Sequence, residues 1–215
     1  MSASATKPSK GEETRALILE AAVQHAGVYG FDALTIGLLA EQTGLSKSGL
    51  FAHFGSKEEL QIATLDEAVR RYNEVAFMPA LKVPRGLQRL SLMFDNWLQW
   101  IERSGLRACP MIAANTEFDD RPGPMRDAVV KHMKRQHHEM MRCVQMAKDT
   151  GEFSTDTDPE QFAFELFGIV SSCYRSRSLC QDANANVRAR KAFDRLTASN
   201  LAAQDPGRFP GRTTN

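Results

Sequence analysis

Ala40 and Gly44 stand four residues apart inside the segment TIGLLAEQTGLSKSGLFAHFGSKEEL, Thr35–Leu60, and no other feature restricts the fold as tightly. Two helices that cross closely need a small side chain at the crossing, and Ala40 supplies it. The turn that follows needs a backbone conformation that a β-carbon resists, and Gly44 supplies that. Leu39, Leu45 and Leu50 fall at the offsets that bury such a helix pair against a preceding helix. Ser46 and Ser56 can cap the next two helices. Ser56-Lys57-Glu58-Glu59 has the spacing of a capping box, Ser56 accepting from the third backbone N–H while Glu59 reaches back. Thr14–Phe54 therefore reads as a three-helix unit containing a helix-turn-helix.

The rest of the chain repeats helical spacing and nowhere alternates with period two over a useful length, so the fold class is all-α. A first helix is expected from Glu12 to Tyr29, with Ile18, Ala21, Ala22 and His25 on one stripe, Leu17 beside it, and Gly30 as its stop. The helix opening at Ser56 continues to about Met78, where Pro79 and Pro84 break the pattern and suggest a hinge. Five more helices follow: Arg85 to Ser104, a short one starting at Pro110, Met125 to Thr150, Asp158 to Leu179, and Asn186 to Ala202. That makes nine, four and then five. The expected organisation is a flexible arm (1–11), a helix-turn-helix domain (12–58), a C-terminal regulatory and dimerisation domain (59–204) and a flexible tail (205–215).

Composition excludes several classes. With 42% hydrophobic and 25% charged residues over 215 positions, the chain can bury a core and is not a disordered one. It shows neither a signal-peptide pattern nor about 18 uninterrupted apolar residues, so a cytoplasmic protein without a membrane partner is expected. Cys109, Cys143, Cys173 and Cys180 form no CxxC pair and read as small buried hydrophobes. Cys173 and Cys180 would lie ~10 Å apart by helical rise, too far to bridge within one chain. The segment HHEMMR begins like a zinc-protease HExxH, but Arg142 stands where the second histidine is needed. Glu117, Asp119 and Asp120, near a turn, read as a helix-capping, arginine-pairing loop in preference to a carboxylate site. No cofactor, metal or enzymatic activity is expected.

The ungapped run from Thr35 to Leu60 resembles the N-terminal signature of the TetR-like transcriptional regulators: threonine, short helix, A-x-x-x-G, serine-capped second helix, aromatic-x-His-Phe, Lys-Glu-x-Leu. EFDDRPGPMRD is also similar to a segment found in one branch of these regulators. The resemblance implies double-stranded DNA as partner. Ser46, Lys47, Ser48 and Gly49 give the recognition helix a narrow N-terminal end, and Lys47 and Ser48 are the candidates for base edges. Thr35 and Lys57, each at a helix N-terminus, suit phosphate. Phe51 and His53 fall where the family's aromatic and histidine pack against the DNA backbone. Phe54 reads as core. The chain departs from the family at Phe51, where tyrosine is usual, and at Gly37 and Leu38, where polar residues are common.

The resemblance further implies a homodimer and a small apolar or amphipathic effector. For the effector, the aromatic and methionine stripes offer Phe94, Trp97, Trp100, Met111, Phe118 and Met133, with Asn115 and His137 as polar neighbours. For the dimer, Ile169, Val170, Cys173 and Tyr174 on one helix join Ala189, Phe193 and Leu196 on the next in a four-helix bundle across a two-fold. The competing reading is a small-molecule or thiol-sensing binding protein with a vestigial DNA module. Net charge is only +1, and through Leu60 five lysines and arginines face seven aspartates and glutamates. DNA affinity must then come from placed groups and not from a basic surface. The expected slope of log K against log salt corresponds to no more than about ten neutralised phosphates per dimer, a limit that a salt titration of DNA binding checks directly.

Overall fold

In a computed structural model, which describes residues 9–103 and 109–203, every regular element is helical. The order is α1 (Lys10–Tyr29), α2 (Ile36–Thr43), α3 (Lys47–His53), α4 (Lys57–Tyr72), α5 (Leu87–Arg103), α6 (Pro110–Glu117), α7 (Pro124–Asp149), α8 (Pro159–Ser178) and α9 (Ala185–Asn200). Helix α4 runs on through a π turn, Asn73–Phe77, and a last turn, Met78–Ala80, so the described residues hold nine helices. An isolated antiparallel bridge, Phe153 to Leu201, is the one β interaction among them. The terminal segments expected to be loose lie outside the described residues, apart from Ser9, Lys10 and Gly11.

Local chemistry explains the ends. Helix α1 begins two residues before the expected Glu12, because Ser9 accepts from the Glu12 N–H while the Glu12 carboxylate accepts from the Ser9 N–H at 2.7 Å. Ser56 caps α4 as expected, accepting from Glu59 N–H at 3.0 Å. The reciprocal half differs: Glu59 reaches one residue further and takes the Gly55 N–H at 3.1 Å. Pro110 opens α6, and Asp158 caps α8 ahead of Pro159.

Contacts divide the chain into two units, and neither is a continuous stretch. The first runs through Pro79 and takes up the chain again over Met93–Gln136. The second holds Ala80–Leu92 and the described residues from His137 on. Helices α5 and α7 each contribute to both.

In the first unit α1 packs on α2, α4 and α6, and α2 packs on α3. Ile18, Leu19, Ala22, Val23 and Ala26 bury one side of α1. Leu17, expected beside that stripe, is 52% exposed, because the buried arc is centred on Ala22 and turns position 17 to solvent. Tyr72 sits fully buried at the end of α4, edge-on to Trp97 and Trp100 at 5.7 and 6.1 Å between ring centroids. Asn96 on α5 donates to the Ala76 carbonyl of the π turn at 3.0 Å, and His132 on α7 meets Asp66 on α4 at 2.6 Å. In the second unit α8 and α9 pack together through Val170, Cys173, Ala189 and Phe193, and Phe153 stacks on Phe162 at 5.3 Å.

A charged ladder ties α1 to α4. Arg71 contacts Glu20 on α1 at 2.8 Å and Glu67 at 2.7 Å, while Arg70 donates to Glu67 and Glu74. The hydrogen bond from Arg70, then the hydrogen bond and charge of Arg71, outweigh burial and hold the Glu67 carboxyl down to about 2, from an ordinary 4.5. A carboxylate depressed in the fold contributes stability above its unfolded value, and that contribution is lost as pH falls through 4.5 towards 2. Glu67→Gln is therefore expected to cost roughly 1–2 kcal/mol at pH 7, after discounting for solvent around Arg70. Denaturant melts run from pH 7 down to pH 2.5 check this: the gap to the parent protein should close with acid.

Candidate nucleic-acid interface

The site is built around α3, which is seven residues long and so depends on its surroundings to stay helical. Gly44 ends α2 in the left-handed region at φ +68°, its N–H returning to the Ala40 carbonyl, and the Leu45 N–H bonds the same carbonyl at 3.1 Å. Ser46 then caps α3 by accepting from Gly49 N–H at 3.0 Å, with its oxygen 3.1 Å from the Ser48 hydroxyl. Leu50 and Phe54 anchor the helix in the core, at 0% and 2% exposure, and Leu45 is half-buried. The Arg15 guanidinium on α1 lies over the Phe54 ring at 5.1 Å.

Inward anchoring by Leu50 and Phe54 fixes what α3 shows outside. Lys47, Ser48 and Phe51 are exposed, and Gly49 and His53 are half-exposed. Phe51 is 51% exposed. The Lys47 stem passes over Gly37 of α2: a β-carbon there would stand 3.6 Å from Cε and 3.8 Å from Nζ. Thr35 caps α2 by accepting from Leu38 N–H at 3.2 Å. Lys57 is exposed at the start of α4, and its ammonium donates to the Asp32 carbonyl at 2.7 Å. An internal acceptor for Lys57 was not legible in the sequence, because Asp32 lies 25 residues away in a loop.

For a second set the sequence marked Glu117 as part of a capping, arginine-pairing loop but not the partners it meets. Glu117, at the C-terminal end of α6, accepts from Phe31 N–H at 2.8 Å and Asp32 N–H at 2.6 Å. Gln61 donates to the Phe31 carbonyl at 2.8 Å, and Arg121 pairs with the Asp32 carboxylate. The Asp32 contact raises the Arg121 pKa further. These partners come from helices α4 and α6 and the turn after α6, so no local pattern announces them. The one available signal was the acid ending α6 and the arginine four residues after it.

The expected effector residues do not all share one environment. Phe94, Trp97, Trp100, Met111 and Phe118 are buried and Asn115 is half-buried, all in the first unit. Phe118 packs edge-on against Phe31 at 6.4 Å, which makes it part of the loop anchor. Met133 is 46% exposed, since its position on α7 faces away from the buried stripe. His137 belongs to the second unit and stacks on Phe167 at 5.6 Å.

The expected dimer residues divide too. Val170 and Phe193 are almost fully buried within the one chain and join α8 to α9, so they present no surface to a second copy. A groove on the same helix pair is lined by Ile169, Glu165, Gly168, Ser172, Arg188 and Arg195, with Cys173, Ala189 and Leu196, themselves buried, at its floor. Tyr174 is half-buried and does not line it. Burial pushes the Cys109 and Cys143 thiols up, away from thiolate reactivity, and Cys173 donates to Asn186 at 3.4 Å. Among the described residues no three His, Cys, Asp or Glu side chains group to hold a metal, and no helix is long and apolar enough to cross a membrane.

Comparison with known proteins agrees with this geometry. The chain is 29% identical over 109 residues to the HTH-type transcriptional repressor AcnR of Corynebacterium jeikeium, a match covering 50% of this chain and 58% of that one. It thus spans little more than half the length of this relative, and 42% of the Corynebacterium glutamicum counterpart, to which it is 37% identical over 79 residues. In fold it is similar to a TetR-family transcriptional regulator from Cytophaga hutchinsonii, with a TM-score of 0.81 at 18% identity over 93% of this chain and all of that one. It is also similar to a TetR transcriptional regulator from Chloroflexus aurantiacus, with a TM-score of 0.79 at 23% identity over 90% and 99% of the two chains. The pattern described as bacterial regulatory proteins, tetR family, matches residues 18–64, and that described as tetracyclin repressor-like, C-terminal domain, matches 86–193. One pattern lies over the helix-turn-helix and the other takes in half of the chain, so the chain belongs to the TetR family of bacterial regulatory proteins.

Proposed function

We propose that the chain is a cytoplasmic, ligand-responsive transcriptional repressor that binds a palindromic operator as a homodimer and leaves it when a small apolar or amphipathic effector binds. The observation that carries this reading is the outward side of α3, where Lys47, Ser48 and Phe51 are held exposed by the burial of Leu50 and Phe54. Residues 12–58 form the DNA-binding domain and 59–204 the regulatory and dimerisation domain. Lys47 and Ser48 reach base edges in the major groove, and Lys57 and the capped N-terminus at Thr35 meet phosphate. Phe51 has no hydroxyl to donate, so it covers sugar and backbone by apolar contact. Repression follows from the likeness to the AcnR repressors.

One helix-turn-helix binds weakly, and a second copy seats on the α8–α9 groove. Glu165 on one of its helices and Arg188 and Arg195 on the other suit a two-fold arrangement, in which each patch meets its own complement. The effector enters among the buried aromatics of α5 and α6, with Trp97, Trp100 and Met111 as apolar wall and Asn115 as a polar contact. It acts by favouring a conformation whose two α3 helices no longer fit successive major grooves. Burial of Cys109, Cys143 and Cys173 speaks against the thiol-sensing alternative for those three, whereas Cys180, expected to be buried, is exposed.

Selection from random duplex DNA tests the reading, and enrichment of a palindrome is expected. Recovery of no two-fold sequence would remove it. On the selected duplex, Ser48→Ala is expected to change preference at one base pair per half-site by about 1–3 kcal/mol; equal loss on scrambled DNA would eliminate Ser48 as a reader. Gly37→Val should likewise alter preference without a large change in melting temperature, because a branched side chain displaces the Lys47 stem; competition binding against single-base variants of the duplex checks this.

A further inference from the structure

The loop between α1 and α2 is gripped on every side by groups far away in sequence. Gly30 enters it at φ +84°, and a β-carbon there would come within 3.0 Å of a Glu117 oxygen, so glycine is what lets the carboxylate approach. Both oxygens of Glu117 are used, one on Phe31 N–H and one on Asp32 N–H. The peptide joining Phe31 to Asp32 is therefore held at both ends, its carbonyl by Gln61 and its N–H by Glu117. Arg121 fixes the Asp32 side chain. What this leaves to point outward is the Asp32 carbonyl, which accepts from the Lys57 ammonium at 2.7 Å.

Lys57 needs such a holder. A cation at a helix N-terminus is opposed by the helix dipole, and a lysine stem is flexible enough to leave. One N–H bond to Asp32 localises the ammonium, and two further donors remain for a phosphate. We infer that Glu117 is a positioning residue for DNA binding: by fixing the Phe31–Asp32 backbone it places the Lys57 ammonium where it meets the phosphate. The inference rests on the phosphate contact proposed above for Lys57. It makes the end of α6 a working part of the DNA-binding head, although it lies outside residues 12–58.

The test is a double-mutant cycle in the full-length protein on the selected duplex, with affinity measured between 50 and 300 mM salt, on the order of the range where counterion release is read. Lys57→Ala is expected to make the salt slope shallower by about two per dimer and to weaken binding roughly ten- to a hundredfold. Glu117→Gln keeps size but leaves only one acceptor oxygen, so it should reproduce most of both effects. It should also speed amide exchange at Phe31 and Asp32, with little change in melting temperature. The double variant should bind within about twofold of Lys57→Ala alone. Independent, multiplying losses, or an unchanged slope in Glu117→Gln while Lys57→Ala lowers it, overturn the positioning role and leave the phosphate contact standing. An unchanged slope in Lys57→Ala removes the contact and the positioning role together. Should Glu117→Gln fail to fold, Arg121→Ala at an exposed side chain loosens Asp32 alone. Its loss should then be smaller, in the same direction and non-additive with Lys57→Ala, and additivity would overturn the inference.

Discussion

A helix of seven residues does not hold itself, and everything at the N-terminal end of this chain answers to that fact. Forming the first turn fixes three residues for one hydrogen bond, and α3 has too few further turns to recover the cost. Its stability is borrowed. Leu50 and Phe54 are buried, α3 packs on α2, Arg15 from α1 closes over the Phe54 ring, and Ser46 and Gly44 settle the backbone before the helix starts. Burying a leucine and a phenylalanine gains several kcal/mol, of order 2–3 each, which is enough to fix a short helix. It also fixes its rotation. With positions 50 and 54 inward, Lys47, Ser48 and Phe51 have no direction left but outward.

The same logic explains which parts of the fold were legible in the sequence. Caps and turn glycines act within three or four residues, so Ser46, Ser56, Gly44, Pro110 and Asp158 could each be read in place. Apolar periodicity shows that a helix has a buried face but not what buries it. Val170 and Phe193 carry the right spacing for a face between two chains, and they are consumed joining α8 to α9 within one chain. Leu17 has an apolar side chain on a helix whose buried arc is already complete, and it stays in solvent. Glu117 stands at the far limit of legibility. Its partners lie 86 and 85 residues away, and nothing near it differs from an ordinary helix-ending acid.

Formal charge was the least reliable guide, and the reason is physical. Seven acids against five bases through Leu60 suggests a head that repels DNA. Four of those acids are already engaged: Glu12 with Ser9, Glu20 with Arg71, Asp32 with Arg121 and Glu59 with Gly55. An engaged carboxylate projects a weaker field, because a cation or a set of N–H dipoles sits against it. Lys47, by contrast, is exposed on α3, with the end of its side chain beside Gly37. What a phosphate or a base meets is the set of charges left after these internal pairings, at the distances the packing allows.

That residue of charge is small, and its smallness has a structural consequence. In the proposed DNA-binding role a head with few free cations gains little from loose electrostatic association, and affinity then rests on contacts made together and in register. Register requires that α3 and the start of α4 be rigid relative to each other, and the loop holding Asp32 lies between the helices that position them. Its backbone is fixed by α6 through Glu117 and by α4 through Gln61 and Lys57. A chain with an abundant basic surface could tolerate play in that loop. On the proposed reading this one relies on a handful of placed groups, and the convergence of four side chains, Glu117, Gln61, Arg121 and Lys57, on Phe31 and Asp32 suits that need.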